Sequence, residues 1–594
     1  MLLTAPVQFF TRWLGAWVQE VDATSLRADA GAAVLAAVLV LPQAIAFAAL
    51  AGLPPAWGLY TAVVPTAIAA LAGSSRHVLT GPTNALSLAL AASLAPLAMA
   101  GSAEYLRLAL VLTLMIGFIQ LALALLRLGV LAHFIAPSVL LGFTTGAALL
   151  IAWHTLGDLG LQWPLEQLNP AAGAVGATTL LVAVALRRWW PRGPGLLVAL
   201  VAGTLLGAAL TRWTSMGLRR IGALPQVWPE WQVPAMQWGD VPQLAAIALA
   251  LTLVALGQSM AIAKSLAQRS GQVLDVNREC LGQGLANSVG AFFSCFVSCG
   301  SFNRSVPHLQ AGARTPLAAV MAAGLLLVLV ALAASLLAWV PMAAIAGLLL
   351  VVAWTLIDRP AWQELLQLDW REAAVAAGTL VATLLVPLQV AVLAGVAASL
   401  VLYLYRTAYP AVREMGLMLP PTPGVTRPFV VMASAPPGAA VCPQLTLLRM
   451  EGSVWFGAQA HVADALQALR DAPQAARHLL VMSKSMNQID AAGAALWEQE
   501  RVRRLAMGGD LYFHRPRPEV LQMWQAGGFI DRLGADHLFA AKRSAIATLV
   551  PRLDGDICSR CTRRIFEECA SQPGAAPTSA GAESLPAPAA PPAP

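Results

Sequence analysis

Residues 297–316 read VSCGSFNRSVPHLQAGARTP. They lie between long runs of Ala, Leu and Val, yet they carry Asn303, Arg304 and several hydroxyls. An arginine at the centre of a membrane costs about 2.5–3.5 kcal/mol on insertion scales, so its presence asks for a reason. The surroundings are apolar enough for the question to matter. Of 594 residues, 58% are hydrophobic and 11% are charged, whereas a soluble domain is about 25% charged.

From about residue 28 to residue 407, apolar segments long enough to be membrane helices follow one another. GAAVLAAVLVLPQAIAFAALAG at 31–52 and PLAAVMAAGLLLVLVALAASLLAWV at 316–340 are examples. About fourteen spans are expected, the weakest near 57–72, 82–97 and 303–313. The first residues, MLLTAPVQFFTRWLGAWVQE, lack the basic start and cleavage site of a signal peptide. They read as a short helix on the membrane surface within an N-terminal segment 1–27. The net charge of +7 does not point to nucleic acid, because the basic residues sit mainly in loops between apolar segments. With both termini cytoplasmic, the inside loops hold Arg76, Arg127, Arg187, Arg188, Arg192, Lys264, Arg269, Arg278, Arg314, Arg359 and Arg371. The outside loops hold chiefly Arg212, Arg219 and Arg220, the asymmetry of the positive-inside rule.

Two pairs of segments repeat in the same order. LPQAIAFA at 41–48 matches LGQSMAIA at 256–263, and VLTGPTN at 78–84 matches VSCGSFN at 297–303. If each unit has seven spans, the second is inverted, which is the architecture of many secondary transporters. In each half a glycine-containing break precedes a short helix. Such a helix begins inside the membrane with unpaired N–H groups and about half a positive charge. Two of them facing each other make an anion site. Arg304 then has two readings: it supplies charge to a bound anion, or it bonds helix-end carbonyls.

These stretches, with GSSRHVLTGPTNALSL and AIAKSLAQRSGQVLDVNRECLGQGLANSVGAFFSCFVSCGSFNRS, resemble the SulP anion permeases in motif order over residues 28–550. The resemblance implies an α-helical polytopic membrane protein of two inverted seven-helix repeats, divided into core and scaffold domains, with a small cytoplasmic α/β STAS domain. It implies a transmembrane anion transport domain at 28–408, a linker at 409–427 and a STAS domain at 428–550, while composition makes 551–594 a Cys-containing, Pro/Ala-rich tail expected to be disordered. It further implies secondary, elevator-like transport of a small inorganic anion such as sulfate or bicarbonate. The setting would be a bacterial inner membrane, in contact with lipid, as a homodimer. No enzyme activity, cofactor, metal or nucleic-acid partner is expected.

Carried over by motif, the substrate site takes Gln43 and Phe47 from the first helix and Thr83 and Asn84 from the third. It takes Gln258 from the eighth and Ser301, Phe302, Asn303 and Arg304 from the tenth. Phe47 would form an apolar wall, or pack in the core. Two departures stand out: the family usually has an acidic residue where Gln258 stands, and a Ser before the arginine where Asn303 stands. Gln258 cannot titrate, so Na⁺ or H⁺ coupling at this position is not expected. Glu279, the nearest acidic candidate, reads as a structural partner for a loop arginine.

In the soluble part, 445–456, 478–483 and 510–515 read as strands, and 460–472 and 491–509 as helices. The turn Asp490-Ala491-Ala492-Gly493 lacks a serine to phosphorylate. The cysteines are Cys280, Cys295, Cys299, Cys442, Cys558, Cys561 and Cys569, an odd number without a disulfide framework. Cys558-Ser-Arg-Cys561 with Cys569 could begin a zinc site, but a structural zinc needs four ligands and no fourth lies nearby in sequence. Two other functions remain in view: a membrane-anchored STAS signalling scaffold, and a channel-like anion conductor.

Overall fold

The computed structural model describes residues 16–129, 136–159, 169–190, 195–213, 217–222, 228–418 and 428–574. Of the expected surface helix at the N-terminus, only the 3₁₀ turn Ala16–Glu20 falls among them. Arg192 and the Pro/Ala-rich end beyond residue 574 lie outside them. The chain divides into two compact units, Met1–Leu400 and Val401–Pro594.

The first unit is helical. Its elements are α1 (Ala23–Leu50), α2 (Pro55–Ala72), α3 (Asn84–Leu94), α4 (Ala103–Leu125), α5 (Pro137–Asp158), α6 (Pro170–Trp189), α7 (Gly195–Trp213) and α8 (Asp240–Ser270). They continue as α9 (Val276–Gly290), α10 (Phe302–Gln310), α11 (Leu317–Leu337), α12 (Met342–Leu356), α13 (Arg359–Leu368), α14 (Trp370–Leu385) and α15 (Leu388–Thr407). Among the described residues, ten helices are long and apolar enough to cross a membrane. Of the three weakest expected spans, one is long and apolar enough to cross and two are not. One is α2, and the other two are α3 and α10, which at 1.5 Å per residue are only about 16 and 13 Å long, half of a ~30 Å hydrocarbon core.

Helix starts follow local chemistry. Asp22 and Ser25 form a capping box at α1, Ser102 caps α4, Asn169 caps α6 and Asp275 caps α9. The helices pack in two sets. In one, α9 lies against α2 and α4, α11 against α1 and α2, and α8 against α4. In the other, α14 lies against α5, and α12 against α5, α6 and α7. The buried carboxylate of Asp29 on α1 accepts from the backbone N–H groups of Arg314 and Thr315 and from the Thr315 hydroxyl. That contact is what the AGARTP stretch serves. Glu279 is likewise buried and accepts from the backbone N–H groups of Ser74 and Ser75, each at 2.9 Å, and from Gln283 Nε2 at 3.4 Å.

Between the helices lies a two-stranded antiparallel ladder, β1 (Thr80–Gly81) and β2 (Cys299–Gly300).

The second unit is an α/β sheet of β3 (Ala411–Met418), β4 (Phe429–Val431), β5 (Ala439–Ala440), β6 (Leu445–Val454), β7 (His478–Ile489), β8 (Leu511–His514) and β9 (Leu538–Phe539). The order is β4-β3-β6-β7-β8-β9, with β5 also on β3. Pairs β6–β7, β7–β8 and β8–β9 are parallel. The crossovers include α16 (Gln459–Arg470) and α17 (Ala491–Ala506), so the strands and helices expected from periodicity are present. At the Asp490–Gly493 turn, Asp490 caps α17 through the Gly493 N–H and accepts from the Phe456 N–H. A Cβ on Gly493 would stand 2.1 Å from the Val454 carbonyl oxygen, so this position requires glycine.

Two expected boundaries shift. Residues 411–418, read as linker, are strand β3, because Met415 and Leu417 alternate into the sheet core despite the charged Arg413 and Glu414 beside them. Residues 551–574, read as disordered tail, fold back: Leu553, Ile565 and Phe566 are buried with Leu445, Leu480 and Tyr512.

Candidate functional site

The ladder is where the two repeated segments meet. Thr80 pairs with Gly300, and Gly81 with Cys299. In the sequence repeat Thr80 corresponds to Cys299 and Gly81 to Gly300. Exchanging the two halves therefore maps the ladder onto itself, which is the register a two-fold axis requires. Each strand leads into a short helix: Thr83 is the N-cap of α3 and Ser301 that of α10, and neither side chain bonds the first turn. Neither N-cap side chain therefore satisfies a first-turn N–H, although at α3 the Ala85 N–H donates to Asn84 Oδ1 at 2.8 Å.

Polar side chains hold the crossing. The Leu79 N–H donates to Ser305 Oγ at 2.8 Å, and the Gly300 N–H to Ser259 Oγ at 2.9 Å. Gln283 Nε2 donates to Thr80 Oγ1 at 2.9 Å. Asn287 Oδ1 accepts from both the N–H and the hydroxyl of Ser298. Cys299 Sγ donates to Gln258 Oε1 at 3.3 Å and lies 3.4 Å from Thr83 Oγ1, so Cys299 stands between Gln258 and the start of α3.

Arg304 does not face a cavity. It is 2% exposed, and its Nη2 donates to the Pro82 carbonyl at 2.9 Å. The guanidinium lies so close to Gly81 that a Cβ there would stand 2.7 Å from Nη1 and would push it aside. The arginine thus reaches from the start of α10 to the chain entering α3.

Two cavities flank the α10 start. One, of about 520 Å³, is lined by Thr83, Asn84, Gln258, Ser301, Phe302 and Asn303, and it is where both helix N-termini open. Its outer wall comes from α5 and α12–α14 and includes Thr144, Thr355, Asp358, Glu364 and Glu372. The other, of about 440 Å³, is lined by Gln43, Asn303, Gln310, Thr355 and Arg187 among others. Asn303 and Thr355 line both. The repeat relates Gln43 to Gln258 and Asn303 to Asn84. Phe302 is 43% exposed, with the Arg269 guanidinium 5.7 Å from its ring centre. Among the described residues these carboxylates are not gathered as a metal site. The arrangement offers an anion amides, hydroxyls and two helix N-termini, with full positive charge held one layer behind.

Residues 26–382 match the sulfate permease family. The chain belongs to this family. It is 29% identical over 537 residues to a probable sulfate transporter of Mycobacterium tuberculosis, covering 88% of this chain and 95% of that one. It is 27% identical over 578 residues to low affinity sulfate transporter 3 of Stylosanthes hamata, covering 89% and 88%. The fold resembles that of SLC26A9, with a TM-score of 0.79 at 17% identity over 96% of this chain and 97% of that one. It also resembles the transmembrane domain of the cyanobacterial bicarbonate transporter BicA, with a TM-score of 0.58 at 24% identity over 64% and 98%. The relatives carry the names of transporters, not of enzymes, and the chain is a multi-pass membrane protein of the sulfate permease family.

Within this permease, seven of the nine site residues expected from sequence reach the cavities: Gln43, Thr83, Asn84, Gln258, Ser301, Phe302 and Asn303. Phe47 does not. It is 5% exposed within the apolar core, the packing role that was its alternative. Arg304 takes its alternative contact too, on a helix-end carbonyl. Sequence reasoning missed Thr355, which lies in an ordinary apolar helix and carries no local signal. It also placed Arg187 only as a loop charge; its position at the end of α6 brings it to the Gln43 cavity.

Proposed function

We propose that this permease is a secondary transporter of a small inorganic anion of the sulfate or bicarbonate class. The anion sits where α3 and α10 begin, with Asn84, Asn303, Thr83, Ser301, Gln258 and Gln43 as neutral donors and Phe302 as its apolar side. The observation that carries this reading is the cavity into which both N-termini open. Arg304 contributes through the low-dielectric protein between its guanidinium and the site, and Phe47 supports the wall from behind.

The two helix sets support elevator-like movement, in which α1–α4 and α8–α11 carry the anion past the other helices. Gln258 is neutral and already accepts a bond, so transport is exchange or facilitation without Na⁺ or H⁺ coupling at this position. The test is radiotracer sulfate uptake into proteoliposomes, competed with bicarbonate, chloride and dicarboxylates. Uptake without large current supports this reading. Large uncoupled currents would replace it with a channel, and neither flux nor current with a scaffold.

We further place both termini and the α/β unit on the cytoplasmic side of a bacterial inner membrane, from the arginine asymmetry. A cysteine introduced near Gly217 should react with impermeant reagent in intact cells, and one near Pro573 should resist; the reverse refutes this topology. A homodimer is the assembly, and a monodisperse full-length monomer in mild detergent would contradict it.

A further inference from the structure

The α/β unit gathers cysteines that the sequence leaves apart. Cys442 precedes β6, Cys558 lies on α18 (Gly555–Arg560), Cys561 follows that helix, and Cys569 lies in the 3₁₀ turn Glu567–Ser571. All four line one cavity of about 20 Å³, room for one water-sized species. Cys442 is the fourth candidate ligand that was missing near the Cys558-x-x-Cys561 pair.

The segment carrying three of them is anchored over the cavity. Gln444 Nε2 donates to the Asp554 carbonyl at 3.0 Å and to Cys558 Sγ at 3.3 Å, and the Asp554 N–H donates back to Gln444 Oε1 at 3.0 Å. Arg564 donates to the carbonyls of Cys569 and Pro573 at 2.9 and 3.0 Å. None of the seven cysteines forms a disulfide.

Simple core packing accounts for Cys442, Cys558 and Cys569 against Ile565 and Phe566. It does not account for Cys561 at the same cavity, or for Arg563 and Arg564 in its lining. A redox Cys-x-x-Cys pair uses two thiols and makes no demand on Cys442 or Cys569. Among the described residues no group of three or more His, Cys, Asp or Glu is placed, as it stands, to hold a metal ion. The thiols share walls, and side-chain rotation must still bring the sulfurs to about 2.3 Å from one ion.

We propose that Cys442, Cys558, Cys561 and Cys569 form a tetrathiolate site for one zinc ion, which clasps residues 551–574 onto the sheet. Zinc suits four sulfur ligands with a C-x₂-C spacing. Binding releases the thiol protons and changes no oxidation state. A zinc ion with four thiolates carries two net negative charges, which the guanidinium groups of Arg563 and Arg564 offset.

The test uses full-length protein purified in detergent under reducing conditions. Elemental analysis should find one zinc per chain. Cys442→Ser should retain zinc more than tenfold less well against a competing chelator, although it leaves the Cys-x-x-Cys pair intact, and Cys561→Ser should do the same. Cys295→Ser, in the membrane unit, should bind as wild type. Cobalt added to zinc-depleted protein should give tetrahedral sulfur-ligand absorption saturating at one equivalent. Zinc should also slow hydrogen exchange in 551–574 of the wild type, a readout that does not depend on the variants folding. Zinc well below one per chain with no cobalt spectrum would overturn the proposal. So would wild-type binding by Cys442→Ser, or iron with labile sulfide on these cysteines.

Discussion

The two broken segments, 78–84 and 297–303, share a backbone and differ in what holds them. The first is gripped mostly by side chains from the second half of the membrane unit: Ser305 on Leu79, Gln283 on Thr80 and Arg304 on Pro82. The second is gripped by Asn287 and Ser259 of its own half, with Thr61 of α2 accepting from the nearby Phe296 N–H. Ala85 stands where the repeat would put a counterpart to Arg304. A two-fold backbone therefore does not imply two-fold chemistry. Both helix ends point into one cavity, while the charge of Arg304 belongs to one repeat and is turned inward.

Arg304→Ala tests that asymmetry hardest. It removes the charge behind the site and a charged hydrogen bond to Pro82, itself worth about 1.5–3 kcal/mol. Anion affinity, read from anion-induced thermal shifts, should fall more than tenfold, about 1.4 kcal/mol, with a lower melting temperature. Arg304→Lys keeps the charge without the planar fork, so it should recover affinity more than stability. Unchanged affinity in folded Arg304→Ala would leave the arginine as a staple alone.

Ser305→Ala and Ser259→Ala each strand one backbone N–H at the ladder. Leaving such a buried donor unpaired costs about 1–3 kcal/mol, and thermal unfolding in detergent should show both losses. Equal losses would mean that the two segments are held alike at this level. A near-neutral Ser305→Ala would shift the burden of holding 78–84 onto Arg304 and Gln283.

Asn303 lines both cavities and its repeat partner Asn84 only one. Asn303→Ala should therefore weaken uptake more than Asn84→Ala, by roughly tenfold against a few-fold, on the scale of about 1 kcal/mol per neutral hydrogen bond. The opposite order in competition assays would place the anion nearer α3. The smallest effect is expected from Gln258→Glu, which should leave most uptake in place and make it sensitive to an imposed Na⁺ or pH gradient. Gradient-driven accumulation by the wild type would show that coupling lies elsewhere.

Much of this was legible along the chain. The glycine-containing breaks and the repeat mark 78–84 and 297–303 as the starts of two short helices, and the family resemblance adds Thr83, Asn84, Ser301, Phe302 and Asn303 as expected site residues. Gln43 and Gln258 come from the same resemblance, and their matched octapeptides relate the two positions. Phe47 was not legible, because an aromatic residue on a buried helix looks the same whether it faces a cavity or a neighbouring helix. Strand β3 was missed because Arg413 and Glu414 mask its alternation, and Cys442 because its partners lie far along the chain.

By itself the sequence determined the membrane class, the position of the two breaks and the neutral character of Gln258. Hydropathy, backbone breakers and side-chain protonation chemistry are local properties, and they survive in any arrangement of the helices. Only the tertiary structure decided that Asn303 faces the cavity while Arg304, the next residue, turns to Pro82. One residue is a turn of about 100° on a helix, so adjacent side chains leave in different directions. Which direction holds the anion and which holds the neighbouring chain depends on the space left by Gly81, contributed by a segment more than two hundred residues away.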